Sequence, residues 1–167
     1  MCFMCDRPEA TFGDYVEEVL RPVIDRFGWA VQAVGGTRVH VPFSYTVGLT
    51  LWGLPELVLT GKRPPDAAEV LNAYAFHLRH SEPPDPGRQV QVGERWFEVV
   101  GVPHPEAHLL VATGLFGEAE VTARQLVWHD ERGRWPWDAG HRGGRGGQPV
   151  LGPRSPAPGA QREPRAG

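Results

Sequence analysis

The chain has 167 residues, 41% of them hydrophobic and 22% charged, which fits one globular domain whose core needs no disulfide staples. Its net charge of −3 combines an acidic body, with 12 Lys and Arg against 19 Asp and Glu in residues 1–138, and a basic end, with five Arg and one Glu in 139–167; neither clusters cations as a nucleic-acid partner requires. No apolar run reaches the roughly 18–20 residues that span a bilayer, the opening MCFMCDRPEA lacks the basic and apolar regions of a secretory signal, and both cysteines fall within the first five residues, so a cytoplasmic protein is expected.

Taken in chain order, Tyr15, Val16, Val19, Leu20, Val23, Ile24 and Phe27 recur at helical spacing and predict a first helix. Asp14 with Glu17, or Thr11 with Asp14, would form its capping box; Pro22 predicts a kink and Gly28 a left-handed stop. Residues 29–34 (WAVQAV), 43–49 (FSYTVGL) and 57–60 (LVLT) read as strands, with turn signals at Gly35-Gly36 and at Gly53 and Pro55. Asp66 with Glu69 predicts the start of a second helix, whose stripe is Val70, Leu71, Tyr74, Ala75 and Leu78. After the loop SEPPDPG, strands are expected at 88–92 and 96–102 around Gly93-Glu94, and at 121–128. The run 109–116 fits strand or helix equally.

Residues 139–167 hold eight Gly and five Pro with no aromatic residue, so that stretch is expected to be mostly disordered, with 148–151 as a piece that can dock in extended form. The pattern predicts an α+β domain over 1–138, mostly antiparallel, with two main helices.

The ordered series MCFMCD, GW at 28–29, YTVGL at 45–49, LPEL at 54–57, QLVWHDERGRWPWD at 125–138 and QPVL at 148–151 resembles the bacterial family called domain of unknown function 4262, over residues 1 to about 152. The resemblance implies a small bacterial cytosolic protein and no particular activity.

Several residue groups carry candidate chemistry. Cys2 and Cys5 form a C-x-x-C that, with His104 and His108 of HPEAH, would supply a Cys2His2 set for zinc if HPEAH is helical; as a Pro-punctuated loop it would not. A redox role for the same cysteines is disfavoured by Asp6 and by the distance to the first helix. Tyr45 and Thr46 fall on opposite faces of a strand beside Gly48, an arrangement that would suit a flavin-like ring in a split barrel or simply close a core; no phosphate-cradling Gly-rich loop is read. Gln125, Trp128, His129, Asp130, Trp135, Trp137 and Asp138 form the densest aromatic and polar cluster, suited to binding or to sealing a small core, with Asp138 as an acceptor for indole N–H groups. His77 and His80 read as surface residues near a helix end, and Glu56 as an acid or an Arg partner without a second carboxylate. The preferred reading is a non-catalytic binding or regulatory module for a protein or small ligand, using Tyr45, Thr46, Gln125, Trp128, Asp130, Trp137 and Asp138. A zinc-type protein is the alternative, and a flavin-binding split barrel a third.

Overall fold

A computed structural model describes residues 7–37 and 40–156. Six strands form one open mixed sheet: β1 (Ala30–Val34), β2 (Phe43–Val47), β3 (Glu56–Thr60), β4 (Gln89–Val92), β5 (Arg95–Val102) and β6 (Ala123–Trp128). Their spatial order is β1-β2-β3-β6-β5-β4. Every neighbouring pair is antiparallel except β3 and β6, which run parallel in the register Glu56↔Ala123 to Val58↔Gln125. The fold is therefore α+β and mostly antiparallel. Because β1 and β4 are free edges, the sheet is not the split barrel of the flavin reading.

The first helix, α1, is built from three consecutive segments, Phe12–Tyr15, Val16–Leu20 and Arg21–Phe27. Thr11 and Asp14 form its capping box, the second of the two starts the sequence allows. Pro22 does not break the helix, because the preceding turn is widened. Arg21 N–H reaches back to Val16 O in a π-type bond, and Pro22 sits in the first turn of the following α segment, where its missing N–H costs little. Gly28, at φ 90°, closes the helix in the left-handed conformation.

The second helix, α2 (Pro64–Leu78), starts two residues earlier than Asp66 and has no side-chain cap. Pro64 and Pro65 occupy its first turn, and Asp66 instead pairs with Arg63 at 2.9 Å. The ambiguous run forms a short helix, α3 (Leu110–Phe116).

Helices cover both faces of the sheet. Val70, Leu71, Tyr74 and Leu78 of α2 pack on Leu57, Leu59, Phe97, Val99 and Leu126. Val16, Leu20 and Ile24 of α1, with Leu109 and Ala112, pack on Tyr45, Val47, Val58, Val102 and Ala123. Coverage from both sides explains why β3 reads ELVLT rather than an alternating pattern: all five residues are buried.

Residues 139–156 lie against the body. The segment 148–151 docks as expected, and the packed stretch extends from it in both directions; residues 157–167 lie outside the described part. Gln148 donates to Trp128 O (2.7 Å) and accepts from Trp128 N–H (2.8 Å), so one side-chain amide pairs with the end of β6 as a strand residue would. Pro149 O accepts from both Thr60 Oγ1 and Gln125 Nε2, and Leu151 N–H donates to Gln125 Oε1. Arg154 then forks onto the buried Glu98 at 2.9 and 3.3 Å. The strap runs so close to the body that a Cβ at Gly61 would meet Gly147 O, and one at Gly152 would meet Gly101 O.

Candidate functional site

The parallel pair β3 and β6 creates the one place where two adjacent strands end on the same side. In open sheets with parallel strands, the crevice beyond such carboxyl ends is the usual ligand position. Here the turn after β3 supplies Gly61, Lys62 and Arg63, and the turn after β6 supplies His129 to Arg134. The loop 140–147 closes the third side with Arg142, Gly143 and Arg145. The result is an open cleft of about 680 Å³.

Asp130 organises one wall. Its Oδ1 accepts the backbone N–H groups of Arg132 and Arg134, and its Oδ2 accepts Arg142 N–H and Arg134 Nε, all at 2.8–3.0 Å. Burial alone would push this carboxyl up, but these bonds outweigh it and hold Asp130 well below the usual carboxylate range. A carboxylate so fully engaged is an anchor for two loops rather than a base. His129 Nδ1 faces Asp130 O at 2.8 Å and is therefore oriented by a carbonyl, not by that carboxylate. The pair does not form a catalytic dyad.

Trp128 forms the floor. Its indole N–H donates to Thr60 O at 3.0 Å, which ties the ends of β3 and β6 together. Lys62 Nζ lies 3.7 Å from the centre of the Trp128 ring, and His141 and Arg142 approach the same indole. Among the described residues Lys62 has no ion-pair partner. Burial, followed by the nearby Arg95 charge, pulls its pKa down.

The cleft gathers Lys62, Arg63, Arg132, Arg134, Arg142 and Arg145 against Asp66, Asp130 and Glu131. Two of those three carboxylates are already engaged, by Arg63 and by the Asp130 loop bonds. A positive concavity thus sits on a chain of net charge −3.

The sequence-derived candidates separate into three groups. Trp128 and Asp130 line the cleft. Tyr45, Thr46 and Gln125 do not: all three are almost wholly buried, so the groove expected around them is absent. Tyr45 accepts a bond from Val111 N–H within the core under α1, and burial pushes its hydroxyl up to about 12. Gln125 spends its amide on Thr60, Pro149 and Leu151. Trp137 and Asp138 sit beside the cleft, not in it. Trp137 stacks on Trp135 at 5.7 Å and carries the Arg154 guanidinium 4.3 Å from its ring centre, and Asp138 accepts Trp135's backbone N–H instead of an indole N–H. The Trp137 indole N–H is buried without a partner among the described residues.

Thr46 belongs to a second polar knot, centred on Glu56. The Glu56 carboxylate is fully buried and accepts Thr46 Oγ1 (2.6 Å), Gly48 N–H (2.9 Å), Thr50 N–H (3.0 Å) and Thr50 Oγ1 (2.8 Å). Among the described residues no Arg pairs with it. Gly48 is required here: its φ is 128°, and a Cβ on it would lie only 2.9 Å from Gly28 O and from Trp29 Cα. The sequence pieces GW, YTVGL and LPEL therefore meet in one structural joint.

His104 and His108 flank a single 3-10 turn, Pro105–Ala107, and take non-helical backbone angles, so they do not share a helix face as the zinc reading needs. His104 instead faces Glu106 at 3.1 Å. Cys2 and Cys5 lie outside the described residues, and among the described residues no three His, Cys, Asp or Glu side chains are grouped to hold a metal ion. His77 stacks on Tyr74 and His80 meets Phe76 edge-on, both histidines exposed on α2 and the turn after it.

Sequence reasoning missed Lys62 and the loop 140–147. The loop's Gly and Arg content read as a tail, yet Gly140, Arg142, Gly143, Gly144, Gly146 and Gly147 all take positive φ. Such density of left-handed residues is a shaped loop; the run HRGGRGG was the available signal.

An open mixed sheet with helices on both faces, carrying a cationic cleft beyond its parallel strands, defines this as an α+β protein with a built concavity. The family model described as Domain of unknown function (DUF4262) matches residues 23–142, and the chain belongs to that family. No curated protein and no solved structure matches it. Among the described residues no helix is long and apolar enough to cross a membrane.

Proposed function

We propose that the protein is a binding module, in a cytoplasmic setting, that takes a small anionic ligand in the cleft beyond β3 and β6. The observation that carries this reading is the convergence of six cationic side chains from three chain segments on three carboxylates: with Arg63 paired to Asp66 and Arg134 to Asp130, the cleft keeps Lys62, Arg132, Arg142 and Arg145 against Glu131. Arg guanidinium forks suit oxyanions, and Lys62, seated on an indole without a carboxylate, is a charge held ready for a ligand. Binding is favoured over catalysis because Asp130 is saturated with N–H donors and no nucleophile and base meet in the cleft.

The test is thermal unfolding and calorimetric titration with orthophosphate, sulfate and citrate at low and high salt. A ligand at 100 times its Kd stabilises the fold by about 2.7 kcal/mol through mass action. The double reversal Arg132→Glu/Arg145→Glu is expected to abolish that stabilisation while leaving the unliganded Tm within a few degrees. No anion-dependent stabilisation, or one that survives the reversal, removes the cleft from consideration.

A further inference from the structure

Resting on that reading, we infer that the ligand is a small molecule carrying linked phosphates, and that the loop 144–146 seats one phosphate while Lys62 and Arg63 hold another.

Backbone geometry supplies the first argument. Gly144, Arg145 and Gly146 take φ of 78°, −79° and 60°, alternating between left- and right-handed values. Successive residues of alternating hand turn their N–H groups toward a common point and form a concavity that accepts a tetrahedral oxyanion. Arg142, the one non-glycine residue at positive φ among those described, lies just upstream at φ 49°. Its N–H is held by Asp130 and its guanidinium by Gly146 O at 2.9 Å, so the loop's shape is fixed from both ends. Non-glycine residues in this region persist where surrounding bonds determine them, and such positions gather at ligand sites.

The placement of charge supplies the second. The cations stand on three separate segments, 62–63, 132–134 and 142–145, around a space of about 680 Å³. One tetrahedral anion can engage one or two of these walls. Reaching all three requires anionic groups held apart within one ligand. Asp66, in the first turn of α2, lines the same cleft, and the two residues before it, Pro64 and Pro65, have no N–H to offer. The side-chain donors on that wall are Lys62 and Arg63, the latter forked onto Asp66 until a ligand competes for it, which suits a terminal, solvent-facing phosphate. A long polyanion is disfavoured by the acidic remainder of residues 1–138.

The experiment is isothermal titration of the full chain with inorganic pyrophosphate, orthophosphate, citrate and a single-stranded oligonucleotide at one ionic strength. Pyrophosphate is expected to bind at least tenfold more tightly than orthophosphate or citrate. Gly146→Ala, which meets open space but resists positive φ, should weaken pyrophosphate at least fivefold. Lys62→Met should weaken pyrophosphate more than orthophosphate. Arg145→Gln serves as a companion to Gly146→Ala should the latter fail to fold, and should show the same loss. Citrate binding as tightly as pyrophosphate overturns the phosphate assignment while leaving the anionic cleft intact. An oligonucleotide that binds more tightly than pyrophosphate overturns the small-molecule class. Failure of all four probes overturns both this inference and the reading beneath it.

Discussion

Replacing Glu56 separates the geometry of its bonds from its charge. Its Oε1 takes three donors, from Gly48 N–H, Thr50 N–H and the Thr50 hydroxyl, and its Oε2 takes the Thr46 hydroxyl. In Glu56→Ala the two hydroxyls can rotate and the half-buried Thr50 N–H can reach water. Gly48 N–H is buried and fixed, at a cost of about 1–3 kcal/mol. Loss of the one buried methylene, Cγ, adds about 0.8 kcal/mol. The sum is about 2–4 kcal/mol. In Glu56→Gln the amide oxygen can keep the three Oε1 donors while the NH2 faces Thr46 Oγ1, which otherwise accepts only Leu57 N–H. That exchange costs about 1 kcal/mol.

The proton adds a second handle on the same residue. Burial pushes the Glu56 carboxyl above its ordinary value despite the four bonds. The folded state then holds the proton more tightly than the unfolded one. Its contribution is fullest below the ordinary carboxylate pKa and is lost as pH rises through the raised value. Gln has no proton to lose, so the gap between wild type and Glu56→Gln should narrow as pH rises. Urea unfolding from pH 4 to 8, with m-values compared to confirm a common unfolded state, reads both effects. If Gln costs as much as Ala at every pH, acceptor geometry is not what Glu56 contributes, and the argument fails.

Asp130 should behave in the opposite sense. Its folded pKa is depressed, so its contribution is present above the ordinary carboxylate value and is lost as pH falls below it; Asp130→Asn should flatten the acid limb of a stability–pH curve, and an unchanged limb would refute the anchor role. Trp137→Phe removes an indole N–H that has no partner among the described residues, whereas Trp128→Phe removes one bonded to Thr60 O, so by chemical denaturation the second should cost at least about 1 kcal/mol more. Gly152→Ala drives a methyl into Gly101 O and should destabilise by about 1–3 kcal/mol. Limited proteolysis should then cut near residue 150 first; cleavage as slow as in wild type would show that the strap is not under that constraint.

The strands and helices were legible because their apolar spacing is strong, and Gly93-Glu94 marked the β4–β5 hairpin directly. The parallel pairing of β3 with β6 was not legible, since periodicity reports which face is buried and says nothing about which strand lies beside it. The start of α2 misled for a local reason: Asp66 and Glu69 fit a capping box, but the two prolines before them fix helical φ and begin the helix sooner. Tyr45, Thr46 and Gln125 drew attention as polar residues in apolar runs. Inside the core Tyr45 takes Val111 N–H, Thr46 bonds Glu56 and Leu57, and Gln125 bonds Thr60 and the strap; sequence alone does not distinguish a polar group facing a ligand from one facing a buried partner. Trp128 and Asp130, where turn chemistry and aromatic content coincide in the sequence, do line the cleft. Lys62 was invisible, because an isolated lysine after a strand carries no pattern.

The strap has a consequence for the order in which the chain acquires its structure during synthesis. Thr60 must wait 89 residues for its acceptor at Pro149, and Gln125 a further 24 to 26 residues after its own appearance for its partners. Until the segment 148–151 emerges, Thr60 and Gln125 have each other, while Gln125 Oε1 and the backbone N–H and C=O of Trp128 lack the strap's partners and keep water. The middle of this sheet therefore closes last, and a growing chain stalled before Gln148 presents an unfinished, hydrated centre to whatever surveys nascent proteins.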